Sequence, residues 1–257
     1  MKIVINTDSP NGSYTYNLVN EIKKRGLYTE DLDADVVFNI DSIHKKGIRK
    51  GKKLTIYWEI EDYRFLGGNK LFYSEVGLLY IGHKKYLPYY PAGTKVMYLA
   101  CNPDFHKDTG EKKIFDLVFV GGIEYLPTYF DRITTLHYLQ VKGINMGVLY
   151  GKPSEYPKLN SMGRMILNIL PKTLEGNAHI NCRVYEAMAM GCLVNNYNSI
   201  LNEVIIPNIH YVTLDKFENI TQEEIDKIKK VSRELVIAKH TWSHRVDQLL
   251  EDINDRI

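Results

Sequence analysis

Cysteine is scarce in this chain: only Cys101, Cys182 and Cys192, an odd number with no C-x-x-C pair. Such a set excludes a disulfide framework and a cysteine-rich zinc site, and it suits a reducing compartment. Excess charge is also missing. With a net charge of +2 at pH 7, the chain as a whole pulls little on phosphate, so a nucleic-acid partner would have to meet a local patch. No apolar run approaches the ~20 residues that cross a bilayer. Met1 to Asn6 reads as a short apolar strand followed by Asp8 and Pro10, not as a secretion signal, so a cytoplasmic protein is expected. No internal repeat of short period is visible.

What is present is ordinary for a folded protein. Hydrophobic residues at 44% and charged residues at 25% argue against disorder. The 257 residues suffice for one large domain or two small ones. Tyrosine is plentiful at nineteen residues. Its rings offer flat faces with a hydroxyl at the edge, suited to stacking sugars or bases. A composition rich in Lys, Ile and Asn, as from an AT-rich genome, gives the same surplus.

Strands and helices alternate. Lys2–Asn6, Val36–Ile40, Leu54–Trp58, Leu78–Ile81 and Val96–Leu99 read as strands. Tyr14–Arg25 has helical periodicity, with Leu18, Val19 and Ile22 on one face and Gly26 as the stop. The pattern then restarts, with strands at Asp116–Val120, Ile144–Leu149, Arg164–Leu170, Cys192–Asn196 and His210–Leu214. Helices are expected at Thr128–Val141, Cys182–Met190, Gln222–Lys239 and Ser243–Ile253. Two βαβ series predict two parallel sheets with right-handed crossovers. The join falls in the polar stretch Asn102–Lys113, giving domains of 1–105 and 106–257. Two open sheets of this kind bind ligands at the carboxyl ends of their strands.

The strongest local signal is Asn181-Cys-Arg183-Val-Tyr-Glu186-Ala-Met-Ala-Met-Gly191. Asn181 fits an N-cap. Val184, Ala187, Met188 and Gly191 share one face, and small residues there let a helix lie close to a sheet. Arg183 and Glu186 stand beside the positive end of the helix dipole, where unpaired N–H groups favour phosphate. Arg183 can add a bidentate contact, and Glu186 can accept both hydroxyls of a ribose. The same two residues also fit a plain i,i+3 surface pair.

The segment N-x-R-x-x-E-A-M-A-x-G resembles the donor-site motif of group 1 glycosyltransferases of the GT-B fold, most of all the branch of the spore-maturation protein CgeB. Further pieces resemble that branch in the same order. Tyr98-Leu-Ala-Cys-Asn102-Pro-Asp-Phe-His106 is similar to its interdomain junction, and Asp116-Leu-Val-Phe-Val-Gly-Gly122 to the first strand of its C-terminal domain. His240-Thr241-Trp-Ser-His-Arg245 is similar to its terminal helix. The likeness runs roughly from Tyr80 to Leu250. It implies a GT-B-like fold: two Rossmann-type domains facing a cleft, with the C-terminal helix crossing back. It also implies a nucleoside-diphosphate-sugar donor, most simply a UDP-sugar, held by the second domain. Glu186 would meet the ribose and Arg183 the diphosphate, the acceptor would lie on the first domain, and no metal or other cofactor would be required. Two positions depart from the family. Ala178 stands where many relatives carry the first Glu of an E-x7-E pair, and Leu193 replaces a common proline. Sugar identity and stereochemical outcome therefore stay open.

Other candidates follow from position. Asp8 and Gly12 lie in the loop after the first strand, Asp8 as a general base and Gly12 as a point of close approach; the loop also reads as a turn with Ser13 capping the helix. Glu59, Glu61 and Asp62 follow the third strand as base, acceptor contacts, Mg²⁺ ligands or a solvated acidic loop, with Glu61 the preferred base. His83 follows the fourth strand as a second candidate base. Gly121 and Gly122 end a strand where backbone amides can meet a diphosphate. Lys172, ahead of Arg132 and Arg164, is the preferred added phosphate partner. His44 to Lys53 holds six Lys or Arg in ten residues, and Lys45–Lys53 suit an anionic acceptor such as DNA, an anionic polymer or membrane headgroups, or simply water.

The expectation is transfer of a glycosyl group to an acceptor hydroxyl. Two alternatives stay beside it: a phage-type DNA glycosyltransferase acting on hydroxymethylated bases, and a non-catalytic nucleotide-sugar-binding protein. A sugar-nucleotide epimerase would normally need a longer chain.

Overall fold

The computed structural model describes residues 1–7, 13–31, 33–41, 47–62, 73–122, 130–173 and 176–257, the side chain of residue 13 excepted. In chain order its elements begin β1 (Ile3–Thr7), α1 (Ser13–Lys24), β2 (Val36–Ile40), β3 (Leu54–Glu59), β4 (Leu78–Ile81) and β5 (Lys95–Val96). Then come β6 (Phe115–Val120), α2 (Phe130–Val141), β7 (Met146–Leu149), α3 (Tyr156–Ser161) and β8 (Gly163–Asn168). The chain ends with α4 (Cys182–Met190), β9 (Cys192–Asn195), β10 (Val212–Thr213), α5 (Gln222–Lys239) and α6 (Trp242–Asn254). Two units form, one of Met1–Leu99 with Trp242–Ile257 and one of Ala100–Thr241. Among the described residues no helix is long and apolar enough to cross a membrane.

In the first unit the five strands are parallel and lie side by side in chain order. β2, β3 and β4 are buried at every position. A strand covered on both faces has no polar side, which is why these read as unbroken apolar runs. α1 packs by β1 and fully buries Leu18 and Ile22. It stops at Gly26, whose φ of 68° is left-handed backbone. The last helix of the chain also belongs to this unit. The Trp242 ring meets Trp58 edge-on at 6.5 Å, Tyr80 Oη donates to Asp252 at 2.5 Å, and Arg245 Nε donates to the Tyr98 carbonyl at 2.6 Å. Burying an apolar side chain of this size contributes about 1.5–3 kcal/mol. Trp242, Val246, Leu249 and Ile253 thus give α6 a firm seat.

The second unit is also a five-stranded parallel sheet, but its order is β10-β9-β8-β6-β7. The order reverses at β6: the chain leaves first to β7 on one side and then returns to β8 on the other. Parallel sheets of this kind bind ligands outside the carboxyl ends of the strands that flank such a reversal. Here those ends are Val120, followed by Gly121, and Asn168. Leu117 and Phe119 of β6 and Met165 and Leu167 of β8 share one core with Leu136 and Leu139 of α2. α4 buries Val184, Ala187 and Met188. At its end a Cβ on Gly191 would stand 3.1 Å from Ile166 Cδ1, so glycine lets the turn into β9 press against β8. α5 opens on a reciprocal cap: Glu224 N–H donates to Thr221 Oγ1 at 3.2 Å, and Thr221 N–H donates to Glu224 Oε2 at 2.8 Å.

The expected two-sheet α/β architecture is present, with some strands shorter than expected. The strand expected at Val96–Leu99 is the two-residue β5, and that expected at Arg164–Leu170 ends at Asn168. α3 had no counterpart in the sequence reading.

Candidate functional site

The reversal in the second unit brings four elements to one place. Val120 of β6, Tyr156 of α3, Asn168 of β8, and Arg183 and Glu186 of α4 line a small pocket there. Asn181 occupies the N-cap position of α4 with extended backbone (φ −72°, ψ 164°), but its side chain accepts no capping bond. It turns instead toward the strand end: Asn181 Nδ2 donates to Asn168 Oδ1 at 3.3 Å. Its own Oδ1 is buried without a hydrogen-bond partner among the described residues. The first N–H groups of α4 are thus left uncovered by this side chain, where the helix dipole favours an anion.

Arg183 follows in the first turn. It is half-buried, its guanidinium lies 5.7 Å from the centre of the Tyr156 ring, and it rests on Gly121. A Cβ at position 121 would collide with that guanidinium. Gly121 serves by making room for a cation, since its N–H is already donated to Leu149 O at 3.0 Å. No carboxylate among the described residues pairs with Arg183. The remaining expected cations are differently engaged. Arg132 is buried, lies over the Phe119 ring and donates to the Gly122 carbonyl at 2.8 Å. Lys172 pairs with Asp131 in the first turn of α2. Arg164 sits at the amino end of β8, away from the reversal, bonded to Asp116 and Gln222.

Glu186 is one turn further and is 2% exposed. His106 Nε2 lies 3.4 Å from its Oε1, and the Cys182 thiol hydrogen-bonds it. Burial, and then the charge of Glu186, push the Cys182 thiol above its ordinary range. His106 and Tyr156 were not singled out from sequence for any role. Tyr156 follows Pro153 and precedes Pro157, and a proline in the first turn is a helix-start signal that could have marked α3.

In the first unit, carboxylates gather after β2 and β3. Asp62 is fully buried and holds His83 twice: the His83 backbone N–H donates to Oδ2 at 2.8 Å, and Nδ1 lies 2.8 Å from Oδ1. The Asp62 carboxylate thus fixes the plane of the His83 ring through Nδ1. Glu59 is fully buried and accepts from Tyr73 Oη at 2.6 Å. Asp41, at φ 42°, accepts the N–H groups of Ile60, at 2.8 Å, and Glu61. Burial first, with Glu61 and Glu59 adding repulsion, raises the Asp41 carboxyl well above its usual range. Asp62, more than Glu61, is the carboxylate that engages His83. Asp8 and Gly12 lie outside the described residues, as do Lys45 and Lys46. In the described part of the basic run three lysines are paired, Lys50 with Glu75 at 3.2 Å, Lys52 with Asp33 at 2.6 Å and Lys53 with Asp35 at 3.7 Å.

Two parallel α/β units, the second with its reversal and charged helix start, are the architecture of GT-B glycosyltransferases, and solved structures agree. The chain is similar to Anabaena HepE in complex with UDP-glucose (TM-score 0.67, 9% identity, 99% of this chain and 100% of that one). It is similar to the sucrose-phosphate synthase of Thermosynechococcus elongatus (TM-score 0.61, 10% identity, 86% and 73%). It is also similar to the DNA-modifying enzyme beta-glucosyltransferase (TM-score 0.60, 15% identity, 99% and 100%). At such identities the likeness speaks for the fold. Residues 145–251, which include α4 and the segment around Glu186, match the family described as Glycosyl transferase-like. No curated protein matches the sequence. Fold and matched domain together are those of a glycosyltransferase.

Proposed function

We propose that the protein transfers a sugar from a nucleoside diphosphate, most simply UDP, to an acceptor hydroxyl, and that the donor sits at the start of α4. The observation that carries this reading is Arg183: a half-buried cation at a helix N-terminus, beside the strand reversal, with no carboxylate partner among the described residues. Such a cation suits a diphosphate. As the glycosidic bond breaks, negative charge grows on the departing phosphate. Arg183 and the first N–H groups of α4 are fixed donors that stabilise it, and one such donor is typically worth 10²–10³ in rate. Glu186, behind Arg183, accepts the ribose hydroxyls. Tyr156 holds the guanidinium flat. If transfer inverts the anomeric centre, His83, oriented by Asp62, takes the acceptor proton; retention needs no such base. The sequence motifs favour the CgeB-like branch.

A thermal-shift screen over nucleoside diphosphates and their sugars tests the reading. UDP at a hundred times its Kd should stabilise the protein by ~2.7 kcal/mol. Arg183→Ala should weaken that binding by about 100-fold while leaving the unliganded melting temperature nearly unchanged, since a charge-assisted hydrogen bond to a ligand is worth roughly 1.5–3 kcal/mol. Unaltered UDP binding in Arg183→Ala would sink the proposal.

A further inference from the structure

His106 belongs to the segment that opens the second unit, before β6. We infer that His106 is a positioning residue for the donor site: its Nε2–H fixes the Glu186 carboxylate in the orientation that receives the ribose. This rests on the reading of Glu186 given above.

The tautomer follows from the turn that carries the ring. The backbone N–H of Asn102 donates to His106 Nδ1 at 3.0 Å, so Nδ1 is an acceptor and carries no proton. The neutral ring must then bear its proton on Nε2. That atom is buried, has no hydrogen-bond partner among the described residues, and lies 3.4 Å from Glu186 Oε1. A buried N–H with nothing else to bond has one useful acceptor, and a small change in the alignment and distance of the two side chains completes the bond. Both side chains are out of water, His106 at 0% and Glu186 at 2% exposure. Burial lowers the His106 pKa, against the pull of Glu186, which favours the neutral ring. The His106 N–H also donates to the Asn102 carbonyl at 2.7 Å, and the Phe105 ring meets the imidazole edge-on at 5.0 Å. The ring therefore cannot swing away without undoing its own turn. A carboxylate so held loses little rotamer freedom when a diol arrives, as outer partners do for metal ligands.

Two substitutions separate this role from support of the turn. Glutamine reaches the place of Nε2 and can donate to Glu186, but loses the Asn102 bond. Asparagine reaches only the place of Nδ1, keeps the Asn102 bond, and takes the His106 donor away from Glu186, which still has the Cys182 thiol. Calorimetric titration with UDP and with 2′,3′-dideoxy-UDP should show His106→Asn binding UDP about 10-fold more weakly than the wild type, and His106→Gln within about 3-fold of it. All three should bind the dideoxy nucleotide alike. Wild-type UDP affinity in both variants, or a larger loss in His106→Gln than in His106→Asn, overturns the assignment. Glu186→Ala on the same two nucleotides is the separate control. If it binds UDP like the wild type, the ribose reading of Glu186 itself fails; if it does not while both His106 variants do, only the role of His106 fails. Should a variant not fold, imidazole ¹⁵N shifts of the wild-type protein decide: an Nδ1–H tautomer of His106, or an Nε2 signal unmoved by Glu186→Gln, refutes the inference.

Discussion

The two units differ less in their elements than in what they place at the carboxyl ends of their strands. Each is a five-stranded parallel sheet, yet the first runs β1 to β5 without reversal, and the second reverses between β7 and β8 around β6. At the first, carboxylates dominate and each holds a donor: buried Asp62 holds His83, buried Glu59 holds Tyr73, and half-buried Asp41 holds the chain at Ile60. At the second, a cation dominates, seated on glycine and an aromatic ring rather than on a carboxylate. Buried carboxylates beside a histidine suit proton transfer, and a cation at a helix start with no carboxylate partner among the described residues suits an anion. Under the proposed function the difference is a division of labour, with acceptor chemistry in the first unit and donor binding in the second.

The sharpest way to break that division is at His83. His83→Ala should cut turnover by about 10²–10⁴-fold, the usual range for a general base, while UDP affinity stays within about 2-fold of the wild type. Asp62→Asn should lower turnover as well, because it removes the carboxylate that fixes the ring. Initial rates with a radiolabelled donor, beside calorimetry with UDP, read the two halves separately. A parallel fall in UDP affinity would mean that the units do not divide the work, and unchanged turnover would remove His83 from the chemistry.

The converse change is Gly121→Ala in the second unit. The added methyl meets the guanidinium of Arg183 and puts a side chain on backbone at φ 158°, so both the turn and the cation's seat beside Tyr156 shift. UDP affinity should fall by about 10-fold, or ~1.4 kcal/mol, with the charge of the protein unaltered. If affinity holds, the seat is incidental and Arg183 reaches its ligand from elsewhere.

Much of this was legible in the sequence, for reasons that individual residues make plain. Val36–Ile40 and Leu78–Ile81 were located to the residue because strands buried on both faces are continuous apolar runs. α4 was located to the residue because Asn181 and Gly191 bracket a small-residue face. The same segment carried Arg183 and Glu186 by motif. The sheet order of the second unit was not legible: the reversal at β6 is set by which strand returns to which side, and local pattern does not encode it. α3 was missed because six residues make too few turns for periodicity to show, and Tyr156 was missed with it. His106 was visible only as part of a motif, since its meeting with Glu186 is made by the fold and not by spacing. Asn181 shows the limit of a correct position, for it stands at the N-cap while its side chain bonds Asn168 rather than the helix.

The cation at the site can finally be set against cations of the same unit that do have carboxylates. Asp108 accepts the Gly110 N–H at 3.0 Å and pairs with Lys113 at 3.2 Å and Lys229 at 3.0 Å. Burial works to raise its pKa, but the Gly110 bond and the two lysines prevail and hold the carboxyl below its usual range. A carboxylate with a depressed folded-state pKa adds stability above its unfolded value of about 3.9, and that contribution disappears as pH falls through the folded value. The group is partly exposed, so screening limits the contribution to about 1 kcal/mol. Asp108→Asn should therefore lower urea stability by that amount at pH 7, by progressively less below about pH 4, and leave UDP affinity untouched. The contrast with Arg183→Ala is the point of the measurement: removing a partner from a paired cation costs the fold, whereas removing a cation with no carboxylate partner among the described residues costs the ligand. A Asp108→Asn protein that lost UDP binding while keeping its stability would show that pairing does not tell the two kinds of cation apart.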